Sequence, residues 1–491
     1  MKKVLLFLID SMMTDVLRNC LNKGKTPALQ FFYQHGQLIE DCVTVFPTMT
    51  ASVDCSLITG EYPDRHKVPG LVWYDPREQK IVNYINGTET VLTLGLVQCL
   101  RNALFEMNNR HLSSEVQTIH EVLEENGFTS GSINVIAHRG LQSYNVRPSF
   151  LLDAATGFSL SGVTSGPSIF SLGTLVKPAI FREVPWSVSQ SLAASLGIND
   201  RYAIDVLIEV VKSGMQPDFT LIYLPDNDHK LHQAYRLAEE HLAQVDEQLV
   251  RFLNTFDSWE QALQQNVFIL VSDHGQTLIG RTDEHNVNLD RLLADYAIHP
   301  LGKDDVQGDE LVICNNERMA YLYPLREHLL SQLVELLSAE RRIDLVAWKD
   351  GPWVNVLNGG KALAFCRGGS DVDQYGAAWT VNGAWEVLDL RLDERGKISF
   401  DSYPDALSRL YGALFSQDGP LIVITAAPGY EFVSEHMPTH LGEGSHGSLH
   451  KQDSLVPLLI AGSKRPLARP ARLVDLKSYV LQEITSQTAL V

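Results

Sequence analysis

"VFPTMTASVDCSLITG" (residues 45–60) begins as an apolar run and turns at Phe46-Pro47. It then offers three hydroxyls, Thr48, Thr50 and Ser52, before a helical-looking stretch that stops at Gly60. Glycine is the usual residue past the end of a helix. A threonine at the start of such a helix is most often an N-cap, its oxygen satisfying an otherwise unpaired amide. The same position also meets an incoming anion with the partial positive end of the helix behind it. Which of these Thr50 is depends on what other strands deliver beside it.

Outward from that stretch, apolar runs alternate with amphipathic ones. This predicts an α/β fold, a mostly parallel sheet with helices on both faces. Residues 2–9, 218–224, 266–272 and 454–462 read as buried strands. Thr26 reads as an N-cap, with Pro27 at the first helical position and Gly36 as the stop. Ser114 reads as the start of another helix, with Gln117 completing a capping box and Gly127 ending it. Leu242, Val245, Leu249 and Phe252 mark a long helix. Two stretches break the rhythm. Residues 140–198 are apolar but rich in Ser, Gly and Pro, and read either as a cap over a site or as plain core packing. Residues 297–431 read as an inserted small α+β subdomain: strands near 318–323 and 344–348, a helix near 327–338, and the turn-rich "GGKALAFCRGGSDVDQYG". The expected organisation is therefore a core over 1–296, the insertion over 297–431, and a return to the core over 432–491.

The chain has 491 residues and a formal charge of −19, from 40 basic and 59 acidic residues. That balance argues against a general affinity for nucleic-acid polymers or anionic membranes. It leaves room for a small anionic substrate, because bound metal ions reverse the field locally. The six cysteines (Cys20, Cys42, Cys55, Cys99, Cys314, Cys366) are scattered without CxxC spacing and read as reduced core residues. "MKKVLLFLIDSMM" imitates an export signal, but its apolar run is short and Asp10 interrupts it, so it reads as a first strand. No segment is long and apolar enough to span a bilayer, and the expected location is the cytoplasm.

Asp and His gather where the expected strands end. Asp10 closes the first. "YLPDNDHKLH" carries Asp226, Asp228, His229 and His232 after the strand at 218–224. "SDHGQ" brings Asp273 and His274 after the one at 266–272, and "GSHGSLH" holds His446 and His450 just before the last. Ligands of open α/β sheets bind at the carboxyl ends of strands. Carboxylates balance the charge of divalent ions and imidazoles suit zinc, so Asp/His pairs converging on one edge fit a two-metal site. Taken singly, each dipeptide is an ordinary turn or surface element; the joint order is what carries weight.

That order resembles the alkaline phosphatase superfamily, in its type I phosphodiesterase/nucleotide pyrophosphatase branch. The branch has a motif F-P-T-K-T-F-P-N-H followed by a short helix ending T-G-x-Y-P-x-x-H. "FPTMTASVDCSLITGEYPDRH" (residues 46–66) aligns with it without a gap and places Thr50 on the nucleophile. The resemblance covers the core from Met1 to about Arg281 and again the segment near the C-terminus. It implies an alkaline phosphatase-like core and two divalent cations, usually zinc, with manganese or iron as other occupants. One would be held by Asp228, His232 and His446. The other would be held by Asp10, Asp273, His274 and the oxygen of Thr50. It also implies a phospho-threonine intermediate.

The chain departs from the motif at Val53, where the branch has an Asn that donates to phosphate, and at Asp54, where it has His. Lys67, Tyr74, His138 and Lys230 are replacement donors by residue type alone. Asp226 with His229 is the alternative pair in "DNDHKLH", and His450 competes with His446. The functional expectation is a metal-dependent phosphodiesterase/nucleotide pyrophosphatase-like hydrolase of small phosphate esters. A phosphomonoesterase and a phosphonate hydrolase of the same superfamily are the enzyme alternatives, and a catalytically weak metal-binding protein is the non-enzyme one.

Overall fold

The structure is a computed structural model that describes residues 2–146, 160–173, 175–178, 198–303 and 305–488. Fourteen strands in two seven-stranded sheets organise it. In chain order the first sheet takes β1 (Lys3–Ile9), β2 (Gly36–Val43), β3 (Ser130–Ile133), β4 (Ile169–Ser171), β5 (Phe219–Leu224) and β6 (Asn266–Val271). The second takes β7 (Leu311–Asn316), β8 (Met319–Pro324), β9 (Ile343–Asp350), β10 (Trp353–Asn358), β11 (Lys361–Val372), β12 (Ala378–Gly383) and β13 (Ile422–Ala426). The chain then returns to the first sheet with β14 (Leu455–Ala461).

The first sheet runs in the order β2-β14-β6-β1-β5-β3-β4. β1 pairs in parallel with both β6 and β5, and β14 lies antiparallel between β2 and β6. Its central strands are apolar at nearly every position because both faces are covered. Val4, Leu6 and Leu8 point into one cluster with the helix Thr50–Thr59, whereas Leu5, Phe7 and Ile9 point into the other with the helices Asp200–Lys212 and Ala238–Leu253. This is the period-two alternation of a strand. The second sheet is antiparallel, in the order β7-β8-β13-β9-β10-β11-β12. The helix Leu329–Ala339 covers one of its faces and the helix Ala406–Leu414 the other.

Several local expectations are corrected. The helix expected from Ser114 begins at Ile119, with Thr118 as N-cap and Glu121 completing the capping box. Thr26 occupies an N-cap position without capping; the carboxylate of Asp246 accepts from Ala28 N and Leu29 N at 3.1 and 2.7 Å instead. The turn-rich stretch at 359–376 is mostly the twelve-residue β11, whose register against β12 shifts between Arg367 and Asp371. Gly368 and Gly369 lie in that bulge at positive φ, which is why the sequence reads as turns. Much of the expected cap at 140–198 falls outside the described residues. The described parts form a hairpin, Gln142–Val146 with Gly162–Gly166, and the edge strand β4.

Candidate functional site

β1, β5 and β6 are parallel neighbours, so their carboxyl ends open on one edge of the sheet. Asp10 follows β1 directly, Asp273 and His274 follow β6 after one serine, and the helix Asp226–Ala234 follows β5. β14 runs the other way, so the segment that precedes it, with His446, reaches the same edge. Four separate stretches of sequence thus meet at the place where open α/β sheets bind ligands.

His274 Nε2 lies 3.7 Å from Asp10 Oδ1 and 3.3 Å from Asp273 Oδ2. All three atoms are buried, and none has a hydrogen-bond partner among the described residues. The other oxygens of the two carboxylates are satisfied: Asp10 Oδ2 accepts from the Tyr223 hydroxyl, and Asp273 Oδ1 from Ser11 N (3.0 Å) and His274 N (2.8 Å). In the second half, His232 Nε2 lies 3.3 Å from Asp228 Oδ2 and His446 Nε2 lies 3.7 Å from Asp228 Oδ1. The rings of His274 and His446 stack at 3.7 Å between centroids, so the halves adjoin. Asp10, Asp273 and His274 bring their donor atoms within 4.8 Å of one another, and so do Asp228, His274 and His446.

The imidazoles are aimed by their outer nitrogens. His446 Nδ1 donates to Thr48 O (2.7 Å) and His232 Nδ1 to Gly444 O (2.9 Å); a carbonyl can only accept, so each Nε2 is left as the inward donor atom. Ser11 links the halves: its amide donates to Asp273 and its hydroxyl to Asp228 Oδ1 at 2.7 Å, a contact shared with Gln276 Nε2 at 2.6 Å. Ser11 holds φ at 55°, in the left-handed region.

The electrostatics call for cations. Burial, with Asp228 and Asp273 alongside, pushes the Asp10 carboxyl well up. Burial opposes the charge on Asp228 too, but His232, then His446 and His274, hold it well below the usual range. His232 is disfavoured by burial yet raised to about 10 by Asp228 and Glu317. Glu317, also against burial, is drawn down to about 2 by His446, His232 and His440. Buried carboxylates in this density need positive charge to balance them, which bound divalent ions supply as they displace protons. Orphaned oxygens and a lone imidazole nitrogen facing one point, each ligand braced behind, form a donor set that fits two such ions.

Thr50 answers the opening question. It is the first residue of the helix Thr50–Thr59, and the N-cap is Met49, which makes no side-chain cap. Thr50 is therefore not the cap. Its turn is bolted to both neighbouring segments: Gly447 N donates to Thr48 Oγ1 (2.8 Å), and Thr44 Oγ1 donates to Asp273 O. Thr50 itself is half-buried.

Other residues singled out in the sequence lie elsewhere. Asp226 N bonds Asp200, His229 pairs with Gln233, and His450 caps the helix Lys451–Ser454. Val53 is fully buried in the apolar core, so the lost Asn is not a gap in the site wall. Asp54 is buried as well, and burial pushes its carboxyl well up. Lys67 donates to Phe415 O, Lys230 to Gln244, Tyr74 packs in the second sheet's core, and His138 bonds Val135 O. The sequence reading passed over Ser11, Tyr223, Gln276, Glu317 and His440. His440 lies with His232 and Glu317 within 4.8 Å and is held by the buried Glu431 at 2.9 Å. Tyr223 and Gln276 lie at the ends of the quoted "YLPDNDHKLH" and "SDHGQ" and Ser11 lies beside Asp10, whereas Glu317 and His440 sit in no motif.

The family model described as "Type I phosphodiesterase / nucleotide pyrophosphatase" matches residues 4–449. Among solved structures, human ectonucleotide pyrophosphatase/phosphodiesterase 5 is similar at 15% identity, over 99% of this chain and 95% of that one, with a TM-score of 0.57. An inactive form of the murine protein in complex with AMP is similar at 15% identity over the same shares, with a TM-score of 0.56. Phosphonoacetate hydrolase from Sinorhizobium meliloti, in complex with phosphonoacetate, is similar at 14% identity over 98% of this chain and 96% of that one, with a TM-score of 0.56. Identities this low carry the fold alone. No curated protein matches the chain in sequence.

Proposed function

Because the chain belongs to the type I phosphodiesterase / nucleotide pyrophosphatase family, a family of phosphoric ester hydrolases, we propose that it cleaves small phosphate diesters with Thr50 as nucleophile. Two divalent cations, zinc by the His/Asp character of the donors, are held by Asp228, His232 and His446 and by Asp10, Asp273, His274 and Thr50. Bound there, they supply positive charge for the phosphate oxygens and lower the pKa of the attacking hydroxyl. The observation that carries this reading is the meeting of Asp10 Oδ1, Asp273 Oδ2 and His274 Nε2, three buried donor atoms with no partner among the described residues.

In the reaction, Thr50 loses its proton to solvent and its Oγ1 bonds to phosphorus. The bond to the leaving alcohol breaks on the opposite side, and that oxygen takes a proton from water. The phospho-threonine is then opened by a water oxygen attacking phosphorus, which returns the hydroxyl to Thr50. Two in-line displacements retain the configuration at phosphorus. The helix Thr50–Thr59 has no side-chain cap, so the amides of its first turn would be the donors to the phosphate oxygens. Arg318, the arginine that follows Glu317 in the chain, is bound to Asp453 and Thr277. It is thus committed elsewhere, which favours a monoanionic diester over a dianionic monoester.

The test is turnover of an aryl phosphodiester, the matching monoester and phosphonoacetate, with zinc or manganese added. The diester is the expected substrate. Thr50→Ala should lower its turnover at least about 10³-fold while metal content stays at the wild-type level. Wild-type turnover by Thr50→Ala would remove Thr50 as nucleophile. Metal binding without turnover of any of the three would leave a metal-binding protein that is not an esterase.

A further inference from the structure

Among the described residues, Glu317 is the carboxylate that the second sheet brings to the site. It sits in the two-residue turn between β7 and β8. Its φ is 62°, a left-handed conformation that is strained for a glutamate. Glycine or asparagine would occupy that turn without strain. The surroundings hold it there: Phe432 N donates to Glu317 O and Arg318 N to His446 O, both at 2.8 Å. A strained residue kept by its neighbours, with a buried charged side chain, points to a use for that side chain.

The side chain reaches the Asp228 half of the site. Glu317 Oε1 lies 3.9 Å from His232 Nε2, and Oε2 lies 3.7 Å from His446 Nε2. The same two nitrogens lie 3.3 and 3.7 Å from Asp228. Asp228, His232, Glu317 and His446 therefore follow one another in a ring of neighbours, each carboxylate using one oxygen toward either imidazole, with contacts between 3.3 and 3.9 Å. Donors about 2.0–2.2 Å from a tetrahedral zinc ion are about 3.3–3.6 Å apart, close to the neighbour contacts of this ring. We infer that Glu317 is a fourth protein donor to the cation at Asp228, His232 and His446. The second sheet thereby supplies a protein donor to that half of the centre. The inference rests on the two-cation reading above. The bland alternative is that Glu317 only braces the His446 loop, since its Oε2 also accepts from Ser445 Oγ (3.0 Å) and His446 N (3.2 Å).

Metal binding without any substrate decides between them. The full chain, stripped with a chelator, is titrated with zinc to count equivalents and with cobalt to read its visible absorption. Wild type should take up two equivalents. Glu317→Gln keeps an acceptor for Ser445 and His446 N but loses the charged donor. Glu317→Asn relieves the turn strain, so its loss of metal would not reflect misfolding. Both variants should bind one equivalent at least about 100-fold more weakly and change its cobalt spectrum, because loss of a bracing residue alone costs about 10–100-fold in affinity and leaves the ligand set intact. Two equivalents with an unaltered cobalt spectrum in Glu317→Gln would overturn the inference and leave the two-cation reading standing. A wild-type chain that binds no metal would overturn both.

Discussion

Asp10, Asp228 and Asp273 repel one another in a buried pocket, and Asp10 shows it by a carboxyl held well above its usual pKa. Such a cluster stores instability that cations relieve. Asp10→Asn should therefore raise the melting temperature of the chelator-treated protein by about 2 °C while removing one metal equivalent and the turnover. Thermal scans with and without zinc check it; a melting temperature that falls in both conditions would contradict it. At this scale the sequence was legible wherever a residue sat in a motif. Asp10, Asp228, His232, Asp273, His274 and His446 were all named from it, and the structure brings their side chains together. Val53 shows the limit. Alignment marks the difference in residue type, but only packing shows that the side chain at that position faces the core.

Among elements, the strands were legible because burial on both faces makes β1, β5, β6 and β14 nearly unbroken apolar runs. Ends and caps were less so. The capping box expected at Ser114/Gln117 forms instead four residues further on, at Thr118/Glu121. Thr118→Ala should cost about 1 kcal/mol in denaturant unfolding, and Ser114→Ala close to nothing. Asp246 is the other device that sequence hid, because its partners Ala28 and Leu29 are over two hundred residues away. Burial raises its carboxyl to about 6. A carboxyl raised on folding adds stability that is full below its unfolded pKa near 4 and is lost as pH climbs through 6. The wild-type melting temperature should therefore lose more between pH 4 and pH 6.5 than that of Asp246→Asn, which has nothing to ionise there.

For the whole molecule, a fully buried ion pair helps to join the second sheet to the first. Arg318, on the turn that carries Glu317, binds Asp453 just ahead of β14 at 2.6 Å, with both side chains fully buried. Asp453→Ala would strand that guanidinium and should destabilise the protein by roughly 3–5 kcal/mol. It should also weaken metal at the Asp228 half, because the Glu317 turn loses its anchor; unfolding curves and metal analysis of one preparation test both effects. The sequence by itself determined the parallel α/β core and the strand-end Asp and His stretches, since apolar period and strand-end chemistry are local signals that survive without neighbours. The choice of Asp228, His232 and His446 within those stretches came from the family resemblance. Only the tertiary structure decided that Met49 and not Thr50 is the cap, that β14 runs antiparallel to bring His446 to the shared edge, and that Glu317 arrives from the other sheet. Those facts concern which distant surfaces touch, and contact between remote segments leaves no periodic trace in a single chain.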